Sequence, residues 1–172
     1  MEAELHHIIY ALSDALDLVG VDDVAHGKRV GVMASACAQA LGWPTAGCDF
    51  MFELGMLHDI GVSSTRMHQQ LVAEFDGEGA HIHTILGQQL LLGFAPLAKM
   101  ALPIRYHHTH WEQLQTLGLP QDVALQANLI YLADRVDTLA APYYASHTVL
   151  FHIDSIRAEI ARRAESYFAP QL

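Results

Sequence analysis

The stretch DFMFELGMLHDIG, residues 49–61, reads as a helix from Asp49 to His58 that breaks at Gly61. It carries His58-Asp59 directly behind the apolar pair Met56-Leu57. A carboxylate and an imidazole placed where the helical pattern wants core are costly unless they are paired or bound to a cation. Other inward polar positions repeat the conflict. His26 falls in line with Val30, Met33 and Cys37, His108 with Leu97, Met100 and Ile104, and Asp134 with Val123, Ala127 and Ile130. One inward histidine is ordinarily a hydrogen-bonded core residue. Several inward His and Asp in one small domain are satisfied together by a metal centre, and neutral imidazole with carboxylate suits Fe, Mn and Zn.

The flanking sequence is helical almost throughout. Leu5, Ile8, Ile9, Leu12 and Leu16 mark one face of a first helix, ended by Gly20. Asp22 or Asp23 can cap a second, which runs to about Leu41 before Gly42-Trp43-Pro44. Beyond Ser63-Ser64 the pattern predicts helices over Gln69–Phe75 and His83–Leu92, with a loop at Asp76-Gly77-Glu78-Gly79 between them. Pro96 suits the first turn of a helix reaching about His108. Gly118-Leu119-Pro120 opens a long helix through Ile130 to Leu139, and Pro142 breaks it. Phe151–Tyr167 is amphipathic, with Ile153, Ile156, Ile160 and Ala164 inward. There is no convincing alternating strand, repeat or linker. The expectation is an all-α fold: residues 1–172 as a single compact bundle of seven or eight helices around a buried site.

Composition narrows the function. Of 172 residues, 52% are apolar and 16% charged, which is no disordered chain. The net charge of −10 leaves little for the basic face that a large nucleic acid needs. It leaves a small phosphorylated ligand open, because bound metal ions reverse the local sign. Cys37, among Ala34, Ala36 and Ala38, reads as a small buried thiol, and with Cys48 it makes a reduced pair rather than a disulfide framework. Glu2 and Glu4 stand where a signal peptide would be basic. The uncharged stretches Val30–Cys48 and Ala80–Ala98 are interrupted by Gln, Gly, Pro and His and do not read as membrane helices. The expected location is the cytoplasm.

Twelve histidines are spread along the chain, and the order of some carries the sharper signal. His26-Gly27-Lys28-Arg29-Val30 comes first, then Leu57-His58-Asp59-Ile60-Gly61, then His83 with Gly87 four residues on. Arg105-Tyr106-His107-His108 and Leu132-Ala133-Asp134-Arg135-Val136-Asp137 follow. Five spaced motifs on a helical background resemble the HD superfamily of metal-dependent phosphohydrolases, and within it the HD-GYP branch, over roughly residues 5–172. The resemblance implies a binuclear site. His26, His58, Asp59 and Asp134 would hold one metal. Asp59 would bridge to a second held by His83, His107 and His108. His58 and Asp59 would be central to catalysis. It implies two divalent transition metals, with Fe or Mn favoured by ligation without thiolate and Zn, Ni and Co left open. Two cations within about 4 Å would activate a water for in-line attack on phosphorus.

Other positions depart from the family. Val62 stands where the HD motif usually continues with Lys. The paired histidines run on into Thr109-His110-Trp111, and Gly118-Leu119-Pro120 is the nearest echo of the Gly-Tyr-Pro loop. Ala140-Ala141-Pro142-Tyr143-Tyr144 replaces a segment that often carries a phosphate-binding Arg. Arg66, Arg105 and Arg135 are the candidate replacements. Each alone also reads as a surface arginine, and Arg135 as a partner of Asp137 or another carboxylate. His110 with Trp111 could line the pocket mouth, and Tyr143 or Tyr144 could stack on a base or pack at the rim. Asp22 sits where some HD-GYP proteins bind a third metal through Glu, though a helix cap suits it better. His6, His7, His68, His147 and His152 carry no motif and read as exposed or interfacial, and His81 faces away from His83.

The expected activity is a phosphohydrolase, most plausibly a phosphodiesterase of a cyclic dinucleotide such as cyclic di-GMP. The rival reading is a degenerate, metal-containing domain that binds a nucleotide or a protein without turnover. A helical scaffold without metal would have to satisfy Asp59 and Asp134 some other way. Phe168-Ala169-Pro170-Gln171-Leu172 resembles the point where HD-GYP domains run on into another helix, so the chain reads either as naturally short or as part of a longer protein. The apolar C-terminal helix could serve as a homodimer face.

Overall fold

Helices α2 (His26–Ala40) and α3 (Thr45–Leu57) meet backbone against backbone because glycine lines their contact. A Cβ on Gly55 would lie 2.5 Å from Gly31 Cα, and one on Gly31 would lie 2.5 Å from the Phe52 carbonyl oxygen. This close crossing brings His26, at the start of α2, beside His58, at the end of α3. The computed structural model describes residues 4–18, 25–62 and 80–172. The expectations for Gly20, Asp22, Asp23, Ser63-Ser64, Arg66, His68, the Gln69–Phe75 helix and the loop after it lie outside the described residues.

Around this pair sit α1 (Leu5–Asp17), α4 (Ala80–Leu92), α5 (Ala101–Tyr106), α6 (Trp111–Leu114), α7 (Gln121–Ala140) and α8 (Ile153–Ala161). Short 3-10 turns cover Ala95–Met100, Ala141–Tyr143 and Val149–His152. The described residues form an all-helical bundle without a strand; an isolated bridge joins Ala164 and Phe168. Helix α7 is the central post, packed against α2, α3 and α5, while α1 covers α3 and α4 packs on α5. The main core gathers Ile9, Val30, Met51, Leu54, Leu57, Leu91, Met100, Ile104, Leu129 and Ile130. Their apolar burial, at roughly 25 cal/mol per Å², is what holds the helices together. No helix among the described residues is long and apolar enough to cross a membrane.

Several boundaries differ from the sequence expectation. Helix α3 begins at Thr45, four residues early, because extended Pro44 starts it. The single helix expected from Pro96 to His108 divides into a 3-10 turn and α5. Helix α6, only four residues long, is too short to show a periodicity. The amphipathic helix expected over Phe151–Tyr167 is confined to α8, preceded by a 3-10 turn and followed by turns, with Glu165 at φ 71°. Ile156 is buried there as expected, but Ile153 is 40% exposed and Ala164 also faces solvent. The reason is tertiary: the chain reverses so that Tyr167 and Ser166 carbonyls accept the Trp111 and Glu112 N–H groups. Buried Asn128 completes the dock, donating to the Tyr167 carbonyl at 2.7 Å and accepting the Ala169 N–H at 2.8 Å. Cys37 and Cys48 are free thiols and only half-buried, and burial pushes the Cys37 thiol up.

Candidate metal centre

Helix α3 ends at Leu57, and the next four residues make a tight turn, with Ile60 N–H on the Leu57 carbonyl and Val62 N–H on that of Asp59. The turn presses Gly61 into α4, where a Cβ would overlap the His83 carbonyl oxygen and lie 2.5 Å from Gly87 N. Only glycine permits that approach, so Gly61 sets how near Asp59 stands to His83.

Asp59 stands at the centre. Its Oδ2 lies 3.4 Å from His58 Nε2 and 4.0 Å from His26 Nε2. Its Oδ1 lies 3.3 Å from His83 Nε2 and 3.9 Å from His107 Nε2. The two carboxylate oxygens therefore face two sets of imidazoles. On one side, His26, His58 and Asp59 bring ligand atoms within 4.8 Å of one another, and on the other Asp59, His83, His107 and His108 do the same. Asp134 Oδ1 borders the first set, 3.3 Å from His26 Nε2 and 3.9 Å from His58 Nε2. His83 Nε2 and His107 Nε2 face each other at 3.3 Å in the second.

The ring orientations are fixed from behind. His58 Nδ1–H donates to the Gly55 carbonyl at 2.8 Å, and His107 Nδ1–H to the Ile104 carbonyl at 2.7 Å. Each takes the carbonyl three residues back, in the last turn of its helix. Their Nε2 lone pairs are thereby aimed inward. His58 Nε2 is buried without a hydrogen-bond partner among the described residues, an atom that a cation would satisfy.

The ionisation states match the donor set. Burial would raise the Asp59 carboxyl, but the fields of His58, His83, His26 and His107 hold it below the usual carboxylate range. Burial would likewise raise Asp134, and the Arg135 guanidinium, with the His26 hydrogen bond, holds it well below. Burial and the neighbouring histidines hold His107 well below its ordinary value, and burial takes His108 down to about 3. His26 goes the other way: burial lowers it, but hydrogen bonds to Asp134 and Asp137 push it up to about 10. To serve as a ligand there, His26 would have to give up a proton. Ionised carboxylates and inward imidazole nitrogens, with a buried orphan among them, fit divalent cations.

The expected substrate contacts are dispersed. Arg135 is buried, with Nε and Nη2 on Asp134 Oδ2 at 3.1 and 2.7 Å, so it serves that carboxylate rather than Asp137. Arg105 is half-buried, with Nη1 donating to Thr84 Oγ1 at 3.1 Å. His110 stacks on Tyr167 at 3.6 Å between centroids. Tyr143 stacks on His152 at 3.6 Å. Val62, in place of the family lysine, is 7% exposed and packs inward. Arg29 was missed as a partner of the site, and Tyr144, expected to stack on a base or pack at the rim, uses its hydroxyl there instead. Both meet Asp137, whose spacing of three from Asp134 on α7 was the available signal.

Fold and site together define a helical bundle with a His/Asp centre that could hold divalent metal. No family model matches the chain, and no solved structure does. Among curated proteins it is similar to the 3'3'-cGAMP-specific phosphodiesterase 1 of Vibrio cholerae serotype O1 (strain ATCC 39315 / El Tor Inaba N16961), 41% identical over 139 residues. The match covers 81% of this chain and 32% of that protein, so the chain spans about a third of the relative's length.

Proposed function

We propose that this chain is a metal-dependent phosphodiesterase of the HD-GYP type that opens a cyclic dinucleotide, 3'3'-cGAMP or cyclic di-GMP. The observation that carries the reading is Asp59, whose two oxygens each face a separate set of imidazoles. The similarity to a 3'3'-cGAMP-specific phosphodiesterase supports the choice of substrate class. His26, His58 and Asp134 with Asp59 Oδ2 would hold one ion, and His83, His107 and His108 with Oδ1 the second. Bound there, two divalent ions supply Lewis acidity toward a phosphate and a hydroxide nucleophile near neutral pH. Fe or Mn suits the donors, and Zn, Ni or Co remains to be tested by metal analysis.

Hydrolysis places hydroxide on phosphorus and a proton on the departing sugar oxygen, leaving a linear dinucleotide. Asp59 orders the centre by belonging to both halves, and the Nδ1 anchors of His58 and His107 keep their rings aimed during turnover. Arg66, Arg105, Arg135, His110 and Tyr143 remain the candidates for substrate contact.

The test is hydrolysis of both dinucleotides by Mn- or Fe-loaded protein, with products followed by chromatography. Turnover is expected, and it should vanish in the His58→Ala/Asp59→Ala double variant. A sample verified to hold its metals that cleaves neither compound overturns the proposal. One observation favours a second reading: with Val62 buried, the family's lysine is replaced by a side chain that cannot reach phosphate. A binding module that keeps its ions and holds the nucleotide uncut would show as calorimetric binding without product.

A further inference from the structure

Asp137 is fully buried and lies behind His26. Its Oδ2 accepts His26 Nδ1–H at 2.7 Å and Arg29 Nη2 at 2.9 Å. Its Oδ1 accepts Arg29 Nε at 2.8 Å and the Tyr144 hydroxyl at 2.6 Å. The Arg29 guanidinium also lies over the Tyr144 ring, 4.5 Å from its centroid. A buried carboxylate needs compensation for its charge, and the two-pronged Arg29 contact supplies it. The His26 and Tyr144 bonds go beyond that need. On the far side of the same ring, Nε2 stands 3.3 Å from Asp134 Oδ1 and 4.0 Å from Asp59 Oδ2. The backbone reinforces the placement. Ala25 holds the left-handed conformation at φ 73°, unfavourable for alanine, with its N–H on Asp17 Oδ1 at 3.0 Å, and α2 starts at His26.

We infer that Asp137, itself held by Arg29 and Tyr144, is the positioning residue that fixes the His26 imidazole as a ligand, with Nδ1 protonated and Nε2 aimed at the ion shared with His58 and Asp134. The inference rests on the two-ion reading above. Partners of this kind change metal affinity about 10–100-fold when removed.

The experiment is Mn²⁺ titration of the full chain by calorimetry, with metal content counted after desalting and helicity followed by circular dichroism. Wild type should take two ions. Asp137→Ala should weaken one of them about 10–100-fold and leave the other near wild type. Tyr144→Phe, which removes one hydrogen bond at the edge of the network, should weaken the same ion about 2–10-fold. His26→Ala and His26→Ala/Asp137→Ala should bind Mn²⁺ equally, because Asp137 then has no ring to position. A further loss in the double variant, or an equal loss of both ions in Asp137→Ala, would assign Asp137 a general structural role and overturn the inference. Should Asp137→Ala fail to fold, Asp137→Asn and Tyr144→Phe answer the same question; wild-type affinity for both ions in those two overturns it. Wild type binding no divalent ion would sink the two-ion reading itself, whereas two ions retained by every Asp137 variant would sink only the positioning role.

Discussion

The two sides of Asp59 use the same residue type in opposite electrostatic settings. On the α2–α3–α7 side, His26 is backed by Asp137 and faces Asp134, Arg135 neutralises Asp134, and the imidazole is held charged. On the α4–α5 side, His107 leans on a backbone carbonyl, His108 packs 5.9 Å from the Tyr131 ring, and both are held neutral by burial. His26 is oriented by charged hydrogen bonds, whereas His58 and His107, one on each side, are oriented by helix-end carbonyls and His108 lies beside an aromatic ring. A ligand histidine can be aimed by either route, but the first answers to changes of charge and the second to changes of shape.

The comparison breaks most completely at the shared residue. Asp59→Ala should remove both ions and lower phosphodiesterase activity by on the order of a thousandfold, the upper range for losing one charge-stabilising group. Metal analysis beside the activity assay checks this, and retention of one tight ion would show that the two sides do not share Asp59.

Chelation comes next. Each ion present at about 100 times its dissociation constant stabilises a fold by about 2.7 kcal/mol, about 5.4 kcal/mol for two. Stripping both should therefore lower the melting temperature by about 10–20 °C for a domain of this size. An unchanged melting curve after verified metal removal would mean that the bundle holds the side chains in place unaided.

Gly61→Ala separates the sides by shape. The added methyl must push α4 away from the turn, destabilising the fold by about 2–3 kcal/mol. The ion near His83 should be lost and the one near His26 kept, as read by Mn²⁺ titration. Equal weakening of both would show that the shape-sensitive and charge-sensitive sides are not independent.

The smallest effect is expected for Asn128→Ala. It loosens the chain end whose Tyr167 stacks on His110: the buried Ala169 N–H loses Asn128, and the Tyr167 carbonyl keeps only its Trp111 N–H bond. A loss of about 1–2 kcal/mol, seen in denaturant unfolding, should leave the His26 side's affinity unchanged.

Much of the helical plan was legible along the chain, because apolar periodicity and Gly or Pro punctuation are local. The starts and stops of α2, α4 and α7 fall within a few residues of the predicted ones. The C-terminal helix was not legible past Ala161. Trp111, Glu112 and Asn128 tie the backbone of residues 166–169 to the bundle, and they lie far away in sequence. The site divides the same way. Inward His and Asp stood out as misplaced polarity on apolar stripes, so His26, His58, Asp59, His107, His108 and Asp134 could be named as candidates. Asp137 lay inside a quoted motif, yet nothing local said that Arg29, rather than Arg135, would be its partner.

By itself, then, the sequence determined that this chain is a helical bundle with more buried imidazole and carboxylate than a plain core tolerates. Burial preference and helical period are properties of single residues and their near neighbours. The tertiary structure alone decided which oxygen of Asp59 faces which histidines, which arginine serves which carboxylate, and that the Tyr144 hydroxyl meets Asp137. Those are matters of distances between elements, set by how closely Gly31 and Gly55 let α2 and α3 cross and how far Gly61 lets the turn sink onto α4.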